Sequence, residues 1–127
     1  MGKHILVVDD DENILNLERT ILAQKGFDVT TATGGAEALE LLAGRPFDLV
    51  LLDVMMPEVD GFTVCRKIKE DPRLKDIPVI FLTAKGGGEA LAEGFESGAV
   101  MYINKPFTAN KLLTIVKTML EAGTNLT

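Results

Sequence analysis

The chain has 127 residues, 13 basic and 19 acidic side chains and a formal net charge of −6, which suits one domain and argues against a broad nucleic-acid surface. One cysteine, Cys65, excludes an internal disulfide and fits a reducing, cytoplasmic setting. No apolar run approaches the roughly 20 residues needed to cross a bilayer, and the opening segment Met1–Val8 is too short for a signal peptide.

Strand-like runs then alternate with helical periods, the pattern of βαβ units and a parallel sheet. Ile5–Val8 is a continuous, branched run, as a strand covered on both faces should be. Ile14, Leu17, Ile21 and Leu22 recur at helical spacing, and Gly26 sits where a C-terminal cap belongs. Val29–Ala32 predicts a second strand, and Ala36, Leu39 and Leu42 mark a helix stopped by Gly44 and Pro46. Leu49–Leu52 is the third strand. After the loop from Met56 to Gly61, Phe62, Cys65 and Ile68 define a helix ending near Asp71-Pro72. Val79–Leu82 is the fourth strand. Gly86–Gly88 follows, the stretch with most backbone entropy to lose, and the next helix, around Leu91 and Phe95, is interrupted by Gly94. Val100–Asn104 gives a fifth strand, and Leu112, Ile115, Val116, Met119 and Leu120 a final amphipathic helix. The expected product is a doubly wound α/β fold with five strands and five helices, helices covering both sheet faces. Residues 1–122 read as the domain, and 123–127 as a polar tail or cut linker.

The chemistry collects at the ends of the strand-like runs. Asp9 and Asp10 follow the first, Asp53 the third, Thr83 the fourth and Lys105 the fifth. In an open parallel sheet, carboxyl ends of strands are where ligands bind. Two like charges about 4 Å apart repel by roughly 4 kcal/mol at an effective dielectric near 20, so three gathered carboxylates need a cation or raised pKa values. Mg²⁺ suits oxygen ligands and keeps positions for water and phosphate. A carboxylate can also act as a nucleophile toward phosphorus, with Lys105 and a cation offsetting charge and Thr83 donating a hydrogen bond.

The runs Val7-Val8-Asp9-Asp10-Asp11, Leu52-Asp53-Val54-Met55-Met56-Pro57, Leu82-Thr83-Ala84 and Tyr102-Ile103-Asn104-Lys105-Pro106-Phe107 together resemble the receiver domain of bacterial two-component response regulators. The resemblance covers about the whole chain in order and spacing. It implies a flavodoxin-like sheet of strand order 2-1-3-4-5, with Asp53 as phosphoacceptor and Lys105 and Thr83 contacting the phosphoryl group. It further implies Mg²⁺ held by Asp9, Asp10, Asp53 and the backbone carbonyl of Met55, and a switch made of Thr83 and Tyr102. Gly61 matches the turn glycine after the acceptor loop, and the Lys105–Pro106 bond is expected to be cis. The implied partners are a sensor histidine kinase or phosphotransfer protein and a downstream protein target or output domain. Neither direct nucleic-acid binding nor a membrane is implied. Such a domain is no enzyme beyond its own phosphorylation and dephosphorylation, and Met55 and Lys85 are the positions expected to tune the latter.

Plainer readings exist for single residues. Asp11 and Glu12 read as helix-start residues, Cys65 as a small buried hydrophobe and His4 as structural. An aspartate-nucleophile phosphatase of the haloacid dehalogenase type wants a second Asp where Met55 stands, and a flavodoxin-like nucleotide site would not tolerate Asp9–Glu12. The remaining alternative is a phosphorylation-independent, receiver-like adaptor.

Overall fold

The computed structural model describes residues 2–84, 88–99 and 101–125, the side chains of 88–91 and 122–125 excepted. Lys85, Gly86, Gly87, Val100 and the last two residues, which carry part of the expectations for the glycine stretch, the fifth strand and the tail, lie outside the described residues, as does the side chain of Leu91.

Ten elements alternate without exception: β1 (His4–Val8), α1 (Glu12–Ala23), β2 (Asp28–Ala32), α2 (Gly35–Gly44), β3 (Leu49–Leu52), α3 (Gly61–Glu70), β4 (Val79–Thr83), α4 (Gly88–Glu96), β5 (Met101–Asn104) and α5 (Ala109–Asn125). The strands form one parallel sheet in the order β2-β1-β3-β4-β5, as the resemblance implies. β1 and β3 run side by side in the middle, with Val8 opposite Leu52. Their last residues therefore end level, and so do the acids that follow them.

Period-two alternation divides the core into two layers. Leu6, Val8, Val50, Leu52, Val79 and Phe81 face α2 and α3, where Phe62 meets Phe81 edge-on at 5.2 Å between ring centroids. Ile5, Val7, Leu49, Leu51, Ile80, Leu82 and Ile103 face α1 and α5. Among the described residues, no helix is long and apolar enough to cross a membrane.

Two sequence expectations need correction. α1 does not bury Leu17, which is 49% exposed; the helix buries Leu15, Glu18 and Leu22 instead. Of the expected stripe Ile14, Leu17, Ile21 and Leu22, Leu22 is fully buried and Ile14 and Ile21 partly so, while Leu15 joins Leu22 in the core layer in place of Leu17. α4 runs unbroken through Gly94. That glycine is a close approach: a Cβ there would lie 3.1 Å from the Tyr102 ring and 3.3 Å from the Phe81 ring. Phe95 on the same helix is half exposed.

Other local readings agree. Asp11 caps α1 by accepting the N–H groups of Asn13 and Ile14, and Asp60 caps α3 by accepting that of Thr63. His4 pairs with the Thr30 hydroxyl at 2.8 Å and packs on the Phe47 ring, a structural setting. Cys65 is fully buried, its thiol donating to the Ser97 carbonyl. α5, by contrast, extends through Gly123 to Asn125, residues that the sequence pattern assigns to the tail.

Candidate functional site

Ladder hydrogen bonds continue one residue past the strands and fix the site. The Asp9 N–H donates to the Ala32 carbonyl at 3.1 Å, that of Asp53 to the Val8 carbonyl at 2.9 Å, and that of Lys105 to the Thr83 carbonyl at 2.9 Å. Backbones placed this way need no loop to hold them, so the side chains converge from rigid elements. Asp9 is 1% exposed, Asp53 5% and Thr83 fully buried, whereas Asp10 is exposed.

Lys105 bridges the two buried acids. Its ammonium donates to Asp9 Oδ2 at 2.5 Å and lies 3.6 Å from Asp53 Oδ2. The remaining carboxylate oxygens are also engaged: Asp9 Oδ1 accepts the Asp11 N–H at 3.0 Å and Asp53 Oδ1 accepts the Met55 N–H at 3.2 Å. The Met55 side chain itself is exposed, while Met56 is buried. Gly61 is required here by close approach, since a Cβ would fall on the Asp53 carbonyl oxygen and the Val54 backbone. Its N–H donates to the Val54 carbonyl at 3.0 Å, closing the acceptor loop. The Lys105–Pro106 peptide bond is cis.

Charge explains the ionisation. Burial, and then the charge of Asp9, push the Asp53 carboxyl above its ordinary value, while a Thr83 hydrogen bond, Lys105 and the Met55 N–H pull it back. Burial alone would lower the Lys105 ammonium, but the hydrogen bond to Asp9 and the charges of Asp53, Asp9 and Glu18 outweigh it and hold it above its usual range. One carboxylate oxygen each from Asp9, Asp10 and Asp53 lies within 4.8 Å of the others. Among the described residues, Lys105 alone pairs with these carboxylates, which leaves two of three formal negative charges uncompensated. An all-oxygen set with that excess fits a hard divalent cation.

Tyr102 is half buried on β5, with its ring 6.0 Å from Phe81. Burial, and then the Asp53 charge, raise its phenol above the usual range. The predicted residues Asp9, Asp53, Thr83 and Lys105 thus meet at one point, Asp10 borders it, and Tyr102 lies one strand away from Asp53's strand on the far side of β4.

The chain matches the family model for the response regulator receiver domain over residues 5–117. It belongs to that family. It is 42% identical over 117 residues to the DNA-binding dual master transcriptional regulator RpaA of Synechocystis sp., covering 92% of this chain and 48% of that protein. It is 43% identical over 119 residues to the response regulator PleD of Caulobacter vibrioides, covering 94% of this chain and 26% of that one. The chain thus spans about half the length of the first relative and a quarter of the second. A CheY-like receiver domain protein from Methanospirillum hungatei superposes with a TM-score of 0.94 at 28% identity, each chain covered in full. Receivers are signalling domains of two-component systems, and the five-strand order seen here is theirs.

One residue near the site escapes the sequence reading. Glu18 on α1 is 1% exposed, and its Oε1 has no hydrogen-bond partner among the described residues. Burial first, then the charge of Asp9, push its carboxyl up to about 8; Lys105 opposes them, and the Asp53 charge adds a smaller upward push. The available signal was its spacing, midway between Leu15 and Leu22 on the buried stripe.

Proposed function

We propose that this receiver accepts a phosphoryl group on Asp53, donated by a phosphohistidine of a sensor histidine kinase or phosphotransfer protein. The observation that carries the reading is the Lys105 ammonium, held 2.5 Å from Asp9 and 3.6 Å from a nearly buried Asp53. An Asp53 carboxylate oxygen forms the new O–P bond while the donor N–P bond breaks, its electron pair returning to the imidazole nitrogen. Lys105, already between the acids, is placed to offset charge on the transferred oxygens, and the Thr83 hydroxyl to donate to them. Mg²⁺, held by Asp9, Asp10, Asp53 and the Met55 carbonyl, would neutralise phosphoryl charge when bound. Pulling Thr83 toward the phosphoryl group frees space on the Tyr102 side of β4. The face made by α4, β5 and α5 would then repack, a local charge event biasing a two-state element. The half-exposed Phe95 and the tight Gly94–Tyr102 approach lie on that face.

The domain boundary after residue 122 and the output belong to the same reading. RpaA is described as a DNA-binding regulator and is about twice this length, so an attached output domain or a separate protein target would receive the signal. Intact-protein mass spectrometry after incubation with acetyl phosphate, with and without Mg²⁺, tests the proposal on the wild type and Asp53→Asn. One adduct requiring both Mg²⁺ and Asp53 is expected. Absence of an adduct in the wild type, beside a receiver that labels, would favour the phosphorylation-independent adaptor.

A further inference from the structure

A cleft of about 290 Å³ opens at the leading ends of the strands, away from the acids, lined by Lys3, Phe27, Lys117, Leu120 and Glu121. Lys3 leads into β1, Phe27 sits in the turn between α1 and β2, and Lys117 and Leu120 belong to α5. The Phe27 N–H donates to the Leu22 carbonyl at 3.3 Å, and that of Asp28 to the Lys3 carbonyl at 2.9 Å, so the backbone joins two of the walls. Phe27 and Leu120 pack, partly buried, against the α1 and α5 layer and give the cleft an apolar side. Lys3 and Lys117 are exposed and enter no ion pair among the described residues. Glu121 is the one carboxylate among the described lining residues. Lysine stems can simply lie over apolar neighbours while their heads stay in water. Here they leave room, close to the roughly 300 Å³ at which small-ligand sites begin. A second cleft, of about 220 Å³ between the start of α2 and the acceptor loop, has Glu37 and Glu58 in its lining and no cation. Two ammonium groups beside apolar side chains thus set the first cleft apart in a chain of net charge −6.

We propose that this cleft binds a small amphipathic anion, an aliphatic carboxylate, with its chain against Phe27 and Leu120 and its head taken by Lys3 and Lys117. Charge and shape select that class together. A bare inorganic anion would leave the apolar side uncovered, a neutral aliphatic would leave both ammonium groups unengaged, and a cation would meet two like charges. A carboxylate head accepts charge-assisted hydrogen bonds from both lysines, the stronger kind of such bond. The five residues of β1, at about 3.3 Å each, separate the cleft from Asp9. Binding there therefore needs none of Asp9, Asp53, Thr83 or Lys105 and stands apart from the phosphoacceptor reading.

The test titrates the protein with octanoate while backbone amide shifts are followed by two-dimensional NMR. Saturable shifts at Lys3, Phe27, Lys117, Leu120 and Glu121 are expected, with those of Asp9, Asp53 and Thr83 unmoved. Lys3→Ala combined with Lys117→Ala should weaken octanoate by about tenfold or more. In the wild type, acetate, which lacks the chain, and octanol, which lacks the charge, should each bind more weakly than octanoate by about tenfold or more. The octanol comparison carries the test if the double variant does not fold. Octanol binding as tightly as octanoate, or a folded double variant with undiminished affinity, would overturn the anionic head. Acetate binding as tightly would overturn the apolar chain. No saturable shift with millimolar octanoate would overturn the site itself. Shifts of the same amides on concentrating the protein alone would assign the cleft to a second copy of the chain and overturn the ligand class.

Discussion

The two layers on either side of the sheet are both buried and differ in how their polar side chains are satisfied. The Ser97 hydroxyl donates to the Gly94 carbonyl, whereas Glu18 Oε1 has no partner among the described residues. In the layer under α2 and α3, Phe62 packs edge-on against Phe81, and the buried, satisfied Ser97 lies beside Cys65. The layer under α1 and α5 is equally buried but contains Glu18. The first is shaped by packing, so its residues answer to volume. The second holds a buried titratable carboxyl, so it answers to pH as well.

The largest expected effect separates the layers by proton. Folding raises the Glu18 carboxyl from an ordinary value of 4.5 to about 8, so the folded state holds this proton more tightly than the unfolded one. Its contribution is complete below pH 4.5 and is lost as pH rises through 8. At about 1.36 kcal/mol per unit, the upper limit of that loss is about 5 kcal/mol. Urea unfolding of wild type and Glu18→Gln across this range isolates it, since the raised Asp53 is common to both. Parallel stability curves would erase the difference between the layers.

Phe62→Ala comes next and concerns volume alone. Removing a fully buried ring should cost about 3–5 kcal/mol, independent of pH, in the same urea assay. Its counterpart in the other layer, Glu18→Leu, should instead gain about 1–3 kcal/mol at neutral pH, because it replaces a buried group whose Oε1 is unpartnered. A loss there would mean that Glu18 is better satisfied than its surroundings indicate.

Smaller effects should be symmetric between the layers. Asp11 caps α1 and Asp60 caps α3 in the same manner, so either change to Ala should lower stability by about 1 kcal/mol. The Arg66–Glu93 pair joining α3 to α4 is 46% and 42% exposed, and breaking it with Arg66→Ala should shift stability by at most about 0.5 kcal/mol, less in high salt.

The contrast also explains what could be read from the sequence. Strands buried on both faces appear as unbroken apolar runs, and the residue after each run is fixed by the ladder, so Asp9, Asp53, Thr83 and Lys105 were legible before any contact was known. α1 was harder because two apolar stripes overlap on it. Ile14, Leu17, Ile21 and Leu22 form the more complete period, yet Leu15 rather than Leu17 joins Leu22 in the core, and that choice depends on where the strand lies rather than on the helix. Position 18 falls inside the stripe of Ile14, Leu17, Ile21 and Leu22, but an acid there reads as a solvated residue at the stripe's edge, which is why the buried carboxyl went unseen. Gly94 misled for a related reason. A glycine inside a helical pattern reads as a break, but its smallness admits the Tyr102 ring, a contact 8 residues further along the chain on β5.

The central claim is that Asp53 accepts the phosphoryl group. Borohydride reduction after acetyl phosphate treatment with Mg²⁺ converts an acyl phosphate to an alcohol, and peptide sequencing by tandem mass spectrometry then locates it. Homoserine at position 53 and nowhere else is the expected result. Reduction at Asp9 or Asp10, or no reduced residue in a protein that carries an adduct, would contradict it.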